Sequence, residues 1–136
     1  MNRGVLFEKE HWIEFEGSPN CLERDKPRVT LDSRGVLLLN KLAYDALGMP
    51  AAVKLLYDED RRVIGLKPED IRRANAFPVK LKDKYHNRRI SISPFCKHFG
   101  LDIRRTILFN EVDFNNDGVM KLELNKTITI GKAERR

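Results

Sequence analysis

From residue 28 onward, apolar residues recur first at the spacing of a strand and then at the spacing of a helix. "RVTLD" (28–32) alternates polar and apolar positions, the pattern of a half-buried strand. Arg34-Gly35 predicts a turn and "VLLL" (36–39) a short strand. Asn40 is a good N-cap for a helix over "KLAYDAL" (41–47), whose Leu42, Ala43, Ala46 and Leu47 share one face. Gly48 stands where a left-handed residue ends a helix. "AVKLLYDEDRRVIGLKP" (52–68) then reads strand, polar turn, strand, with Pro68 closing it.

The same order of signals returns. "VKLKDKY" (79–85) predicts a strand and turn, and "ISI" (90–92) a short strand. A second helix has Ser93 as cap, Pro94 at its first position, Phe95 and Phe99 facing the core, and Gly100 as the stop. "RTILFNEVDFNNDGVMKLELN" (105–125) predicts another hairpin with a longer connection. Helices of about two turns do not persist alone in water, so both must be clamped against sheet.

The two series align as an internal duplication. Leu47-Gly48-Met49 falls on Phe99-Gly100-Leu101, and Leu55-Leu56-Tyr57 on Ile107-Leu108-Phe109. Upstream, "VTLDSRG" (29–35) matches "VKLKDKY"; downstream, "RRVIGLK" matches "DGVMKLE". The predicted core is Leu38, Leu42, Leu47, Val53, Leu55, Ile64, Ile90, Phe95, Phe99, Ile107, Phe109 and Leu122. Outside the repeats, "HWIEFEG" (11–17) is a candidate strand within an N-terminal strand and linker spanning 1–27. "EDIRRANA" predicts a short helix in the linker 69–78, "TITI" (127–130) a strand, and 131–136 a frayed tail.

"DFNNDG" (113–118) begins in the order of a calcium-binding EF-hand loop. The bidentate glutamate such a loop needs at its last position is Leu124 here, with Glu123 one residue short. The flanking segments have strand character, so a hairpin turn is predicted.

The composition, 41% hydrophobic and 34% charged over 136 residues, fits an ordinary soluble protein with one core or two small units sharing one. No apolar run approaches the roughly 20 residues of a membrane span, and the start lacks a secretory signal, so a cytoplasmic location is expected. Cys21 and Cys96, far apart and outside any CxxC pair, are expected to be reduced thiols. Charge is uneven. Residues 79–105 hold eight Lys or Arg against Asp83 and Asp102, which equals the net charge of +6 of the whole chain. Such a block is either a footprint for nucleic acid or another polyanion, or a solvated face.

The first unit resembles the AbrB-like swapped-hairpin domain of prokaryotic transcription regulators. Residues 28–68 follow that family's order in register, with Gly35, Lys41, Ala46-Leu47-Gly48 and Leu66-Lys67-Pro68 where the family has them. Asp32-Ser33-Arg34-Gly35 looks like the Asp-x-x-Gly of the MraZ branch, whose members carry two such units in one chain. The resemblance implies an α+β, mostly β, fold of two tandem ββαββ units, 28–68 and a divergent 79–130, forming a pseudo-two-fold barrel. It also implies a DNA-binding transcription regulator, with the barrel completed within one chain or by exchange in a homodimer. Three positions depart: Val36 replaces the usual arginine after the turn glycine, Asn40 the proline before the helix, and Tyr44 a helix arginine. The candidate DNA contacts are therefore Arg34 beside the glycine, Arg24, Lys26, Arg28 and Lys41 around the first strand and helix start, and Lys82, Lys84, Arg88 and Arg89 in the second unit.

Enzymatic chemistry finds little support, and neither cofactor nor metal is expected. Cys96 and His98, two apart on a helix, point to different faces, and no third group orients them. His11, His86 and His98 lack metal-ligand spacing, and the glycines stand singly at turns. Trp12 and Tyr85 are lone aromatics, each a candidate base-stacking residue or part of the core or rim. The alternative function is a non-enzymatic protein-interaction or assembly module whose basic block meets an acidic partner.

Overall fold

The computed structural model describes residues 11–14 and 26–130. Arg24, Cys21, most of the N-terminal segment and the tail 131–136 lie outside the described residues, and His11 to Glu14 form no strand. The fold is α+β and mostly β: the described residues form two antiparallel sheets and two short helices. Among the described residues no helix is long and apolar enough to cross a membrane.

In chain order the elements are β1 (Val29–Leu31), β2 (Val36–Leu39), α1 (Lys41–Ala46), β3 (Ala52–Asp58) and β4 (Val63–Glu69). There follow β5 (Phe77–Pro78), β6 (Lys80–Leu81), β7 (Arg88–Ser91), α2 (Ser93–His98), β8 (Ile107–Phe109), β9 (Val112–Phe114), β10 (Met120–Glu123) and β11 (Thr127–Thr129). One sheet runs β11-β8-β1-β2-β7-β6 and the other β5-β3-β4-β10-β9. β5 and β6 are separated only by Val79, whose N–H donates to the Ala51 carbonyl at 2.9 Å. One extended stretch thus passes from the second sheet into the first.

The pairings run between the two halves of the chain. β1 pairs with β8, β5 with β3, β2 with β7 and β4 with β10. In the last pair Leu66 meets Met120 and Ile64 meets Leu122, with Gly65 opposite Lys121 between them. Val29, Leu31, Leu37, Leu39, Ile64, Leu66, Ile90, Ile92, Met120 and Leu122 are wholly buried in a common core. Each such side chain contributes about 1.5–3 kcal/mol of burial. Ala43 from α1, Leu47 at its C-cap, and Phe95 and Cys96 from α2 join this core. Tyr57, Phe95 and Phe99 form an aromatic cluster with ring centroids 4.7–5.8 Å apart.

Several expectations are corrected. The linker helix over 69–76 is absent: β4 continues through Pro68 to Glu69, and residues 70–76 fold as successive turns. Asp70 starts them by accepting from the Arg72 N–H at 3.0 Å, so its carboxylate stabilises a turn in place of a helix end. Pro68 is tolerated because β10 reaches only as far as Leu66, leaving no β10 partner that needs its missing N–H. Ser93 is the first helical residue and makes no cap bond; Ile92 holds the cap position. The second hairpin also differs. β8 leaves for β1 and β11, and the hairpin partner of β10 is β9, formed by the residues inserted relative to the first unit. Leu38 and Leu42 lie outside the core, and Leu37, Leu39 and Ala43 fill it. "VLLL" is apolar on both faces, so its alternation could not say which leucines turn inward.

One turn is built three times. The Asp32 Oδ1 accepts the N–H groups of Arg34 and Val36 at 2.9 and 3.1 Å. That of Asp83 accepts those of Tyr85 and Asn87 at 3.0 and 3.4 Å, and that of Asn115 those of Asp117 and Val119 at 2.8 and 3.0 Å. In each, the third residue onward has positive φ: Gly35 at 80°, His86 at 69° and Gly118 at 79°. "DFNNDG" is therefore the end of β9 and the β9–β10 turn, with Asn115 as its organiser.

Candidate functional site

The outer face of the six-stranded sheet carries one registered row. Ile128 lies opposite Leu108, Leu108 opposite Thr30, Thr30 opposite Leu38, Leu38 opposite Arg89, and Arg89 opposite Lys80. Residues directly opposite on neighbouring strands point to the same face. One end of the row is apolar and the other cationic.

Around the Leu38–Arg89 junction lies a depression of about 590 Å³. Thr30, Val36, Leu38 and Arg89 contribute from the strands, Leu81 and Lys82 from the end of β6, Asp32 and Arg34 from the first turn, and Thr106 from the approach to β8. Three cations from both halves of the chain share it with one carboxylate, which is fully engaged. Asp32 Oδ2 accepts from Arg34 Nη2 and Nε at 2.6 and 3.1 Å, while Oδ1 holds the two turn N–H groups. Asp32 therefore orients the Arg34 guanidinium at the rim. Its attraction is screened on the Arg34 side, which is 75% exposed.

The other predicted contacts are distributed differently. Lys84 sits on the Asp83 turn, its Nζ 5.4 Å from the Tyr85 ring centroid. At Asp83, burial pushes the carboxyl up, but hydrogen bonds from the Asn87 side chain and the Tyr85 and Asn87 N–H groups, with the Lys82 charge, outweigh it and hold it below its ordinary value. Arg88 lies opposite Leu39, and its guanidinium covers the Tyr44 ring at 4.3 Å while donating to the His86 carbonyl at 3.0 Å. Tyr44 itself donates to the Pro50 carbonyl at 2.9 Å. Arg88 thus packs on α1 and is not among the residues lining the depression.

Lys41 pairs with Asp45 at 2.7 Å one helical turn away, an exposed contact of about 0.3–0.5 kcal/mol. Lys26 and Arg28 flank the helix start and are tied to it through Asn40. Its Oδ1 accepts the N–H groups of Ala43 and Arg28 at 2.9 and 3.0 Å, and its Nδ2 donates to the Lys26 carbonyl at 2.7 Å. Asparagine at this position both caps α1 and anchors the strand entering the sheet, through three bonds that proline has no side-chain groups to make. Of the predicted set, then, Arg34, Lys82 and Arg89 come together.

Lys80, Thr30 and Leu38 stand in the same registered row and Leu81 and Thr106 line the depression; none of them was singled out from sequence as a site residue. The only signal for Leu38 was an apolar run longer than one buried face needs.

Elsewhere, Cys96 is a buried free thiol whose pKa is raised by burial, and His98 is exposed with its ring edge-on to Phe99 at 4.7 Å. Among the described residues no three His, Cys, Asp or Glu side chains gather as a metal-ligand set. No family model matches the chain, nor does any curated protein or solved structure. The family resemblance therefore rests on the residues that carry it.

Proposed function

We propose that this chain is a DNA-binding transcription regulator of the AbrB-like type, built from two tandem ββαββ units, 28–68 and 79–130, that interleave as a pseudo-two-fold barrel. The reciprocal pairings support the architecture: β1, the first strand of one unit, lies beside β8, the post-helix strand of the other, and β3 lies beside β5, in the linker that leads directly into β6. The symmetric β4–β10 register and the matching Asp32 and Asp83 turns support it too.

The observation that carries the functional reading is the shared depression holding Arg34, Lys82 and Arg89. Cations on one face supply phosphate contacts and most of the affinity for nucleic acid, while few side chains read bases. Gel-shift titration of the full chain against mixed genomic duplex fragments across a salt series tests this reading. Duplex retained at low salt and released as salt rises is the expected result; no retention even at low salt overturns it.

The apolar half of the row, with Ile128 47% exposed beside Leu108, favours a second reading: a protein-interaction module that takes an acidic partner with an apolar edge. Recovery from lysate of an acidic protein by the intact chain, lost on Ile128→Lys and accompanied by no duplex binding, selects it.

A further inference from the structure

We propose that the depression between Arg34, Lys82 and Arg89 holds a single nucleotide, with an unpaired base against its apolar floor and the attached phosphate on its cationic rim. This deepens the nucleic-acid reading and rests on its placement of the interface. The two kinds of surface a nucleotide needs are adjacent here. Leu38 lies directly opposite Arg89, which puts an apolar and a cationic side chain about 5 Å apart at their bases. Leu81 lines the depression beside Lys82, and Thr106, half-buried at its edge, offers a hydroxyl for a hydrogen bond to a base or sugar edge.

Size agrees with the chemistry. A depression of about 590 Å³ falls within the roughly 300–1,000 Å³ of small-molecule sites. The backbone of a paired duplex presents phosphates and sugars with its bases stacked inside, so it needs cations but gains nothing from a leucine floor. An unpaired nucleotide uses both. No aromatic ring is among the described lining residues, so the base packs on leucine in place of stacking on a ring. Asp32 holds Arg34 in place, and the paired guanidinium offsets the carboxylate charge within the site. The same chemistry is offered by a free nucleoside monophosphate and by an unpaired nucleotide within a strand.

The test uses the full chain, a short labelled single-stranded oligonucleotide, and fluorescence anisotropy at constant ionic strength. Competitors are the nucleoside 5′-monophosphates, inorganic phosphate and a blunt duplex, and direct mononucleotide binding is followed by calorimetry. Mononucleotides should bind and displace the oligonucleotide where inorganic phosphate does not. Arg89→Gln, at an exposed position, should weaken mononucleotide binding by about tenfold or more, as loss of a charge-assisted hydrogen bond does. Lys121→Gln, on the other sheet, should leave it unchanged. Mononucleotide binding without oligonucleotide binding supports the site and assigns it to the free ligand; binding of both assigns it to either source. Phosphate competing as well as mononucleotides, or Arg89→Gln binding as tightly as wild type, overturns the proposal. Duplex binding without single-strand or mononucleotide binding overturns it and leaves the DNA reading standing. Mononucleotide binding without duplex binding does the reverse.

Discussion

Gly35 in the first turn lies against the backbone of Ser93 at the start of α2. A Cβ on Gly35 would stand 2.8 Å from the Ser93 Cα and 3.0 Å from its N, and the Gly35 carbonyl accepts the Ile92 N–H at 2.7 Å. The turn of one half of the chain is thereby locked to the helix of the other.

Gly35→Ala should accordingly cost on the order of 3 kcal/mol, combining left-handed backbone strain with a backbone clash that no rotamer relieves. Gly48 shares a positive φ of 99° but has nothing within 4 Å of its absent Cβ. Gly48→Ala should cost only about 1 kcal/mol. Urea unfolding of both variants makes the comparison, and equal losses would show that the approach to Ser93 is no constraint.

His86 occupies the position that Gly35 and Gly118 fill in the sister turns, at φ 69°. A non-glycine residue there costs about 1–2 kcal/mol, of which glycine's extra unfolded-state entropy returns part. His86→Gly should raise stability by roughly 0.5 kcal/mol and His86→Val should lower it. A thermal melt in which His86→Gly falls below wild type would mean the imidazole makes a contact that outweighs the strain.

Asp83 gives the fold an acid-sensitive turn. Its carboxyl is held below its ordinary value in the folded chain, so the stability it contributes is fully present above its unfolded pKa of about 3.9 and is lost as pH falls through the lower folded value. Asn115 builds the same turn without a charge, which makes Asp83→Asn a conservative comparison. The melting-temperature gap between wild type and Asp83→Asn should be largest near neutral pH and narrow as pH falls below the ordinary carboxylate value. A gap that stays constant down to the acid limit of the folded state would remove the carboxylate from the account.

Arg88 and Arg89 are neighbours in sequence with different expected roles. If DNA phosphates meet the depression, Arg89→Gln should reduce the slope of log affinity on log salt by roughly 0.9 on duplex DNA, and Lys82→Gln should do likewise. Arg88→Gln should leave the slope alone and lower stability by about 0.5–1 kcal/mol, because its guanidinium packs on Tyr44. Equal slope changes for Arg88 and Arg89 would mean that Arg88 leaves Tyr44 when DNA binds.

The local grammar of this fold was legible in its residues. Asn40 and Gly48 mark the bounds of α1, Pro94 and Gly100 those of α2, and "TITI" was readable as β11, because caps, breakers and alternation act over a few residues. The missing linker helix shows the limit of that grammar. Acids in a first turn stabilise a helix end, yet Asp70 serves a turn equally well, and β4 takes up Glu69, the first residue of the expected helix.

Which leucines of "VLLL" turn inward, that β8 leaves its expected hairpin partner, and that Arg34, Lys82 and Arg89 meet while Arg88 faces α1 were decided by tertiary structure. Strand alternation has two phases, and a run apolar on both faces does not choose between them. Pairing with β7 chose: with Leu37 opposite buried Ile90, Leu38 is set outward beside Arg89, and the cations fall on alternate faces. Sequence alone located the two helices and most of the strands, and determined how the charge is distributed along the chain. Long-range register, which depends on partners far away in sequence, determined the face on which each charge stands.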